Sequence, residues 1–411
     1  MPFIGNKPTA IPLSADDLED NIITSAKIVD GTIATADIAD ANVTAVKLAS
    51  GTVQNQSAFK NIIINGDMSQ AQRSTSVASI TGSGYNTVDR FRANMGTAGT
   101  WTQSQSTDVP TGQGFATSLK MDCTTANGSL SAGSYLIIDQ RVEGQNLQYL
   151  KKGTSSAEST TISFWVKSAK TGTYIVSLND MDNSRYIANS YTVSSANTWE
   201  KKTITYAGDT TGAFGNDNGA SLKVQFWLVA GTTYTSGTLA TSWESNTNAN
   251  NAVGQVNLAD STSNEWYVTG VQLEAGTSAS DFEFLPIDIN GTRCKRYYQK
   301  LGIGMGQYQH APSVSDGWSG SAQLGIAFVD TPMRASATTE YAGSWTGRGH
   351  LNSDNNCVPG GALSNYGGTG TTSVSQLNRF SWNANQNSNS LGTGATYHSN
   401  TGCSLAFNAE L

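Results

Sequence analysis

TISFWV, at Thr161–Val166, and LKVQF, at Leu222–Phe226, place an apolar side chain at every second position. Successive side chains of a β-strand point to opposite faces of the sheet, so this period indicates strands with one face buried in a core. The runs are short and are separated by Gly, Asn, Asp and Ser, which supply turn conformations. The pattern predicts β-structure with a shared core.

Similar short runs recur across residues 58–290. The candidate strands are Asn61–Ile64, Ser134–Arg141, Thr160–Val166, Gly172–Leu178, Ser190–Val193, Trp199–Tyr206, Leu222–Leu228 and Glu265–Leu273. Many short strands at fairly regular spacing are typical of sandwiches and barrels. Eight or nine strands in a segment of this length fit a jelly roll. We therefore predict an all-β chain with a jelly-roll β-sandwich at 58–290.

The composition of the 411-residue chain agrees with this fold class and argues against one class of partner. Charged residues make up only 13%, and there are 42 glycines. The 9% of aromatic residues and the apolar runs argue against disorder. The net charge is −7, and the longest basic clusters are two lysine pairs, at 151–152 and 201–202. Because nucleic-acid binding usually needs a concentrated basic surface, no nucleic-acid partner is expected.

The four cysteines, Cys123, Cys294, Cys357 and Cys403, are far apart in the sequence. Metal sites and redox motifs normally show tight local spacing, which is absent here. We expect four unpaired and mostly buried thiols. A disulfide between Cys357 and Cys403 stays open as the alternative.

A second periodicity, of five residues, occupies the N-terminal part of the chain. An aliphatic residue recurs at nine successive positions: Leu13, Leu18, Ile23, Ile28, Ile33, Ile38, Val43, Leu48 and Val53. A spacing of five matches neither the helical period of 3.6 nor the strand period of 2, so one helix or one strand would not gather this stripe on one face.

One chain cannot bury this stripe, because repeat units need neighbours to cover their apolar faces. Three chains around a shared axis would stack three aliphatic side chains in each layer. We therefore predict a homotrimeric stalk at 21–57, with a core running from Leu18 to Val53, after an N-terminal arm at 1–20. A pentapeptide-repeat solenoid within one chain and a flexible linker remain alternatives.

The sequence shows no sign of export or membrane insertion. Its first residues, MPFIGNKPTAIPL, lack the basic and apolar regions of a secretory signal. No run approaches the 18 or so apolar residues of a membrane helix. We expect neither a signal peptide nor a membrane partner.

Several motifs in the middle region carry a resemblance. KNIIINGDM at 60–68 is followed by SQAQR at 69–73 and by VDRF at 88–91. ISFWVKS, GTY and WEK follow from residue 162 onwards, and VTGVQLEAG closes the region at 268–276. In order and spacing these motifs resemble phage tail-fibre domains, which are similar in turn to carbohydrate-binding jelly-roll modules of polysaccharide-degrading enzymes. The resemblance covers most of this region.

The resemblance implies a virion-borne module that binds glycans. Sugar sites use exposed aromatic faces beside amide and carboxylate groups, and Trp101, Tyr234 and Trp243 have polar, loop-like surroundings in the sequence. Packing against a loop or a subunit neighbour is the alternative role for each. Related carbohydrate modules hold a structural calcium ion, and Asp67 and Glu274 occupy comparable regions. The closing TGVQLE departs from the acidic pattern of such sites, so we expect no metal or other cofactor.

The region 291–411 is predicted to be a distal, glycine-rich β-domain. Its opening CKRYYQK, at 294–300, resembles a linker in the same phage proteins, as do PMRA at 332–335 and the closing FNAEL. Aromatic residues among Gly, Ser and Asn favour a recognition surface. The candidates for receptor or glycan contact in this domain are Trp318, Tyr341, Trp345, Tyr366 and Tyr397. Packing between subunits is the alternative.

The sequence offers little sign of catalysis. Its three histidines have no metal-ligand spacing, and neither a GxSxG elbow nor a P-loop occurs. The carboxylates of Asp180, Asp182 and Asp217, which a glycosidase would need in pairs, have turn-like contexts. We predict that the chain is not an enzyme.

These observations together predict a phage tail fibre. Its partners would be two further copies of itself, virion proteins (a tail adaptor, nozzle or capsid) through the arm, and host surface polysaccharide or protein. It would be assembled in the host cytoplasm and located on the virion. A capsid-attached head fibre without a receptor role and a polysaccharide-degrading tailspike are the alternatives.

Overall fold

The computed structural model describes residues 59–302 without a break, then 309–310, 322–328, 334, 338–342, 345–348, 362–363, 379–384, 396–399 and 404–411. Side chains are described for 59–300, 334 and 408–411. All of these belong to the second of two units into which the chain divides, residues 57–411. The predicted arm at 1–20 and stalk at 21–57, with the stripe from Leu18 to Val53, lie outside the described residues.

Between residues 59 and 302 the chain is built mainly of β-strands. Its first twelve strands are β1 Ser76–Ile80, β2 Arg92–Gly96, β3 Thr100–Ser106, β4 Ser118–Thr125, β5 Tyr135–Glu143, β6 Thr160–Ser168, β7 Gly172–Asp180, β8 Arg185–Val193, β9 Glu200–Tyr206, β10 Ala220–Ala230, β11 Glu244–Ser245 and β12 Glu265–Ala275. Two helices, α1 at Thr232–Thr235 and α2 at Ile287–Lys295, flank the last two of these strands.

These twelve strands form two six-stranded antiparallel sheets. Sheet A has the order β1-β3-β4-β12-β6-β9, and sheet B has the order β11-β8-β7-β10-β5-β2. In both sheets several neighbouring strands come from distant parts of the sequence, which is consistent with a jelly-roll sandwich. The all-β prediction and the two-sheet sandwich are confirmed for the part of the chain that the structure describes.

The core lies between the two sheets and is rich in aromatic rings. Phe164 of β6 is fully buried, and its ring contacts Phe226 of β10 edge to face at 5.0 Å between centroids. Phe226 also contacts Trp266 of β12 at 5.9 Å. Because aromatic side chains bury large apolar areas, these contacts hold the two sheets together.

Most predicted strands are present, with some exceptions at the start. The strands expected between residues 134 and 273 correspond to β5–β10 and β12. The segment Asn61–Ile64 is not a strand. Instead, the Asn61 side chain accepts a hydrogen bond from the Leu273 backbone N–H at 3.1 Å and donates one to Val271 O, also at 3.1 Å. Strands β1–β4 were not predicted; the first three have mostly polar sequences.

A bulge in β12 brings the closing motif VTGVQLEAG into contact with the opening motif KNIIINGDM. The pairing of β12 with β6 shifts between Thr269 and Gln272, and Gly270 has a φ of +62°. Val271 then donates its N–H to Gly66 O at 2.9 Å. A Cβ atom on Gly66 would lie 2.1 Å from Val271 O, so only glycine fits this approach.

The remaining described strands follow α2. They are β13 Tyr298–Gly302, β14 Gln309–His310, β15 Ala322–Phe328, β16 Thr338–Ala342, β17 Trp345–Arg348, β18 Ala362–Leu363, β19 Arg379–Ala384, β20 Thr396–Ser399 and β21 Ser404–Asn408. They form antiparallel sheets in the orders β13-β21-β16, β14-β20-β17-β18 and β15-β19.

The end of the sequence packs onto the sandwich. The predicted domain boundary between residues 290 and 291 falls inside α2. The fully buried Arg90 forms an ion pair with Glu410 and lies 3.4 Å from the centre of the Tyr297 ring. Ala409 donates its N–H to Tyr297 O at 2.8 Å. The CKRYYQK motif is therefore packed against the sandwich.

Cys123 and Cys294 are free and buried, as predicted, whereas Cys357 and Cys403 lie outside the described residues. Burial raises the pKa of the Cys123 thiol to about 11, with smaller contributions from Asp122 and Asp260. Neither described helix combines the length and the apolar character that crossing a membrane requires.

The aromatic core predicts a large effect of Phe164→Ala. Removing a fully buried Phe that bridges the sheets should lower the free energy of unfolding by about 3–5 kcal/mol. Thr203→Ala, an exposed change on β9 of the same sheet, should stay within about 0.5 kcal/mol. Urea unfolding followed by tryptophan fluorescence measures both. Equal effects of the two substitutions would contradict this account of the core.

Candidate functional site

The outer face of sheet B is divided into an apolar half and a polar half. On β5, Leu136, Ile138 and Val142 belong to the inner core. Since side chains alternate along a strand, Ile137, Asp139 and Arg141 point outwards. The same alternation on β10 sends Lys223, Gln225 and Trp227 outwards.

The apolar half is covered by residues 231–257, here called the covering segment. It contains α1 and β11 and lies between β10 and β12. It packs Ala240 and Ala252 over Ile137, Ile175 and Trp227, which form a second buried cluster with Tyr186, Ala188 and Ala230. Trp227 Nε1 donates a hydrogen bond to Tyr186 Oη at 3.0 Å.

The polar half, here called the polar strip, is assembled by strand register. Arg92 of β2 lies opposite Asp139 of β5, and Asp139 lies opposite Gln225 of β10. In the next row, Arg141 of β5 lies opposite Lys223 of β10. Directly opposed residues share a face of the sheet. The strip therefore consists of Arg92, Asp139, Arg141, Lys223 and Gln225.

The floor of the polar strip has unused hydrogen-bonding capacity. Asp139 has no exposed surface, yet neither of its carboxylate oxygens has a hydrogen-bond partner. Gln225 is 4% exposed, and its Oε1 is likewise without a partner. Buried polar groups are normally satisfied, and an unsatisfied one costs free energy. Acceptors left open in this way are suited to hydroxyl donors of a ligand.

Three cations surround the open carboxylate. Arg92 Nη1 and Arg141 Nε each lie 3.9 Å from an Asp139 oxygen, beyond hydrogen-bond distance. The two arginine side chains are 21% exposed, so they border the buried floor. Lys223 is partly buried. The strip thus presents a carboxylate and an amide below three positive charges.

Burial dominates the electrostatics of this strip. It raises the pKa of Asp139, although Lys223, Arg92 and Arg141 act in the opposite direction. It lowers the pKa of Lys223, and the nearby Arg141 and Arg92 lower it further against the effect of Asp139. The attraction between Asp139 and the nearby cations therefore does not fully offset the cost of removing Asp139 and Lys223 from water.

Of the three predicted aromatic residues in the sandwich, Trp101 is placed differently from the expectation. It lies in β3, not in a loop, and has no exposed surface. Its Nε1 donates to Ala98 O at 2.7 Å. A buried ring offers no face to a ligand, so the loop-like, ligand-facing interpretation of Trp101 was wrong. The polar residues around Trp101 were interpreted as a loop, although they belong to strand β3.

Tyr234 and Trp243 are partly exposed but lie in different places. Tyr234, in α1 of the covering segment, contacts Tyr135 at 5.7 Å and Trp227 at 5.2 Å between ring centroids. It therefore lies on the same face as the polar strip, in the apolar half. The Trp243 indole donates to Ala207 O at 2.8 Å and has Lys152 Nζ 5.5 Å from its ring. The structure does not bring the three predicted aromatics together.

The distal candidates are only partly covered by the structure. Tyr341, Trp345 and Tyr397 lie in β16, β17 and β20 respectively. Trp318 and Tyr366 lie outside the described residues.

The two acidic residues considered for calcium have protein partners. Asp67 accepts hydrogen bonds from Ser69 Oγ and Asn290 Nδ2, both at 3.1 Å. Glu274 accepts from Ser280 N at 2.8 Å and Ser280 Oγ at 2.7 Å. Within the described residues, no three His, Cys, Asp or Glu side chains are grouped so that they could hold a metal ion. Glu274 therefore stabilises a local turn, and Asp67 links its own turn to α2 through Asn290.

The carboxylates considered for glycoside cleavage also stabilise turns. Asp180 accepts from Asp182 N at 2.9 Å and forms an ion pair with Lys152 at 2.6 Å. Asp182 accepts from Gly215 N, and Asp217 accepts from Gly219 N, both at 2.8 Å. These contacts agree with the turn-forming role expected from the sequence.

The polar strip itself was missed by the sequence analysis. Lys223 and Gln225 were visible as the polar positions of the alternating LKVQF run, and Asp139 and Arg141 have the same relation to β5. Their convergence depends on the pairing of β2, β5 and β10, which are far apart in sequence. The strand alternation was the available signal, but it does not identify neighbours.

No protein-family model matches the chain, and no curated protein matches it either. One similar solved structure is the enzymatically active domain of tailspike protein 4 from bacteriophage CBA120, at 16% identity and a TM-score of 0.27. The match covers 53% of this chain and 21% of that chain, so this chain spans about a fifth of the tailspike protein.

Carbohydrate-binding modules are also among the similar structures. A CBM4 structure matches at 12% identity and a TM-score of 0.26, over 51% of this chain and 97% of that chain. TmCBM61 in complex with β-1,4-galactotriose matches at 10% identity and a TM-score of 0.27, over 52% and 98% of the two chains. Scores at this level carry no inference about ligand or activity, so the site rests on its own residues.

The opposite environments of Asp139 and Asp209 predict opposite pH effects. Asp209 is buried, which acts to raise its pKa, but hydrogen bonds from Arg185 and Lys152 outweigh burial and lower it. If the pKa of a carboxyl group is raised in the folded protein, stability falls as the pH rises above the unfolded pKa of about 4. If the folded pKa is lowered, stability falls as the pH drops below the unfolded pKa.

We expect Asp139→Asn to gain stability relative to the parent protein between pH 4 and pH 7. Asp209→Asn, the matched control, should lose about 2 kcal/mol at pH 7, with the deficit shrinking towards pH 3. Urea unfolding at a series of pH values measures both. Loss of stability at pH 7 in both variants would show that Asp139 is an ordinary structural carboxylate.

Proposed function

We propose that this chain is a non-catalytic phage fibre protein that attaches to glycans on the host surface through the polar strip of sheet B. The observation that carries the proposal is the buried carboxylate of Asp139, which has no hydrogen-bond partner and lies beside the open acceptor of Gln225. Sugar hydroxyls are donors of the kind that such acceptors lack.

The surroundings of the strip support saccharide binding. Arg92, Arg141 and Lys223 provide donors for ring and hydroxyl oxygens at the border of the floor. Tyr135 and Tyr234 place aromatic rings on the same face. Along β5, Tyr135 precedes Asp139 by four residues, about 13 Å at the usual rise per residue. Aromatic and polar groups are therefore available along one sheet face, as an extended ligand requires.

The sequence supports the phage assignment. The KNIIINGDM, VDRF and VTGVQLEAG motifs resemble phage tail-fibre domains, and the described structure brings the first and last of them into contact through Gly66 and Val271. A binding role is favoured over glycoside cleavage because Asp180 and Asp217 accept hydrogen bonds within their own turns and Asp182 accepts one from the Gly215 N–H of another loop. In this proposal the chain is located on the virion, with the arm at 1–20 contacting other virion proteins.

The proposed oligomer is a homotrimer. The proposal rests on the five-residue stripe from Leu18 to Val53, because repeat units of this kind need neighbours to cover their apolar faces. Among the described residues, four large apolar side chains from the two ends of the sandwich sequence are exposed, and they are here called the apolar patch: Phe59, Phe284, Ile287 and Ile289, at 57%, 51%, 65% and 36%. Glu283, the neighbour of Phe284 in the sequence, accepts hydrogen bonds from the N–H groups of Phe59 and Asn61, which brings Phe59 near Phe284.

The position of this patch favours a second copy of the chain as its occupant. The repeat that needs partner chains ends at Val53, six residues before Phe59. Large exposed apolar side chains gathered at one place are typical of interaction surfaces.

We expect the full-length chain to have three times its 43.3 kDa mass in solution. Ile28→Asp with Ile33→Asp should give monomers, because charges would be buried in the stalk core. Phe284→Ser with Ile287→Ser should weaken the trimer at low concentration. Met181→Ser, an exposed apolar residue on another turn, is the control. Size-exclusion chromatography with light scattering gives the masses. A monomeric parent protein would refute the oligomer.

Glycan attachment is tested by binding of the purified full-length chain to a panel of bacterial envelope preparations. Asp139→Ala with Gln225→Ala should reduce binding at least tenfold, because each removes an acceptor for sugar hydroxyls. Thr203→Ala on sheet A should bind normally. Polysaccharide-degrading treatment of the envelopes should abolish the signal. Undiminished binding by the double variant, or no binding of the parent chain to any envelope, would contradict the proposed site.

A further inference from the structure

At several places in the sandwich one cation is paired with one carboxylate, whereas the polar strip has more cations than carboxylates. Elsewhere, Lys120 pairs with Glu265 at 2.5 Å, Lys202 with Glu200 at 2.6 Å and Arg296 with Glu143 at 2.8 Å. At the strip, three cations surround one carboxylate, that of Asp139. A local positive excess therefore exists on a chain whose net charge is −7.

Lys223 contributes most clearly to this excess. Within the described residues it has no carboxylate within 4 Å, whereas Arg92 and Arg141 share the single carboxylate of Asp139 at 3.9 Å. Lysines that serve only solubility extend into water and keep their charge hydrated. Lys223 is instead partly buried among like charges, a placement that costs free energy unless an anion joins it.

The positions of these charges are fixed by the sheet. Arg92, Asp139 and Gln225 occupy one row across three paired strands, and Arg141 and Lys223 occupy the next. Arginine side chains match carboxylate, sulfate and phosphate groups through paired hydrogen bonds. The open acceptors of Asp139 and Gln225 lie in the same row as Arg92 and match hydroxyl donors. One ligand that satisfies both is a sugar bearing a negative charge.

We propose that the polar strip selects anionic saccharides, with Arg92, Arg141 and Lys223 binding the acidic group and Asp139 and Gln225 accepting hydrogen bonds from neighbouring hydroxyls. This inference rests on the proposed function and narrows its ligand class. The carboxylate of Asp139 is fully buried, whereas the side chains of Arg92 and Arg141 are partly exposed to solvent. The acidic group therefore meets the cations first.

The test is an array of bacterial surface saccharides that carries neutral, uronate-containing, sulfated and phosphorylated members, probed with the full-length chain. Each saccharide that binds is compared with a counterpart whose acidic group has been removed, by carboxyl reduction, desulfation or dephosphorylation. We expect the bound saccharides to be anionic and to lose binding at least tenfold on this treatment. Raising NaCl from 50 to 500 mM should also weaken binding, since salt screens charge attraction.

Variants of single charges provide matched controls. Arg92→Gln and Lys223→Met should each weaken binding of the anionic saccharide about tenfold, and Lys223→Arg should retain it. Lys201→Met, an exposed lysine on β9 of sheet A, should have no effect. Thermal unfolding verifies that the variants fold.

The outcomes separate this inference from the proposed function. Strip-dependent binding of neutral saccharides, or equal binding before and after removal of the acidic group, would overturn anion selection while leaving glycan attachment standing. Absence of binding to every saccharide on the array would overturn both. If Lys201→Met weakens binding as strongly as Lys223→Met, the binding depends on the overall charge of the protein. That result would also refute the polar strip as the binding site.

Discussion

The packing of Phe164, Phe226 and Trp266 between the two sheets determines which faces of β6, β10 and β12 point outwards. Phe226 can face Phe164 at 5.0 Å only if its neighbours on β10 face the other way. Gln225 and Trp227 are therefore outward, and so is Lys223 two residues earlier. A register slip of one residue would exchange the inner and outer sets and would bury Lys223 in the apolar core. The packing of the core therefore determines which residues lie on the outer face of sheet B.

The sequence was informative where structure is local. Alternation of apolar residues predicted β5–β10 and β12, and two of the four thiols are free and buried as expected. Strands β1–β3 were missed because their polar sequences have few apolar positions to count, and β4 was missed although Leu119, Met121 and Cys123 alternate along it. Trp101 shows the same error, since its Thr and Gln neighbours suggested a loop although Trp101 and Gln103 of β3 are buried.

The polar strip could not be predicted because it depends on pairing between distant segments. Arg92, Asp139 and Gln225 are separated by 47 and 86 positions along the chain and meet only through the order β10-β5-β2. The missing partners of Asp139 and Gln225 are a property of the packed side chains and leave no trace in composition. The five-residue stripe is the opposite case: its period is evident in the sequence, while the residues that carry it lie outside the described structure.

The proposed trimer and the proposed glycan site have a physical connection. A shallow strip on one sheet face, with two acceptors and three cations, offers few contacts, so a single copy would hold a saccharide weakly. Three copies joined by one stalk would bind a repetitive surface polysaccharide with a much greater combined affinity, provided that the sites can be occupied together. Because the chain has few charged residues, we also expect an anionic polysaccharide to bind at the cationic strip and not elsewhere on the surface.

The most direct measurement of the central claim is a crystal structure of the full-length chain with a bound envelope oligosaccharide. The account predicts the sugar on the outer face of sheet B, with hydroxyl groups within hydrogen-bond distance of Asp139 and Gln225 and with Lys223 in contact. A saccharide bound elsewhere on the chain, with the strip left open and Asp139 still unpartnered, would contradict it.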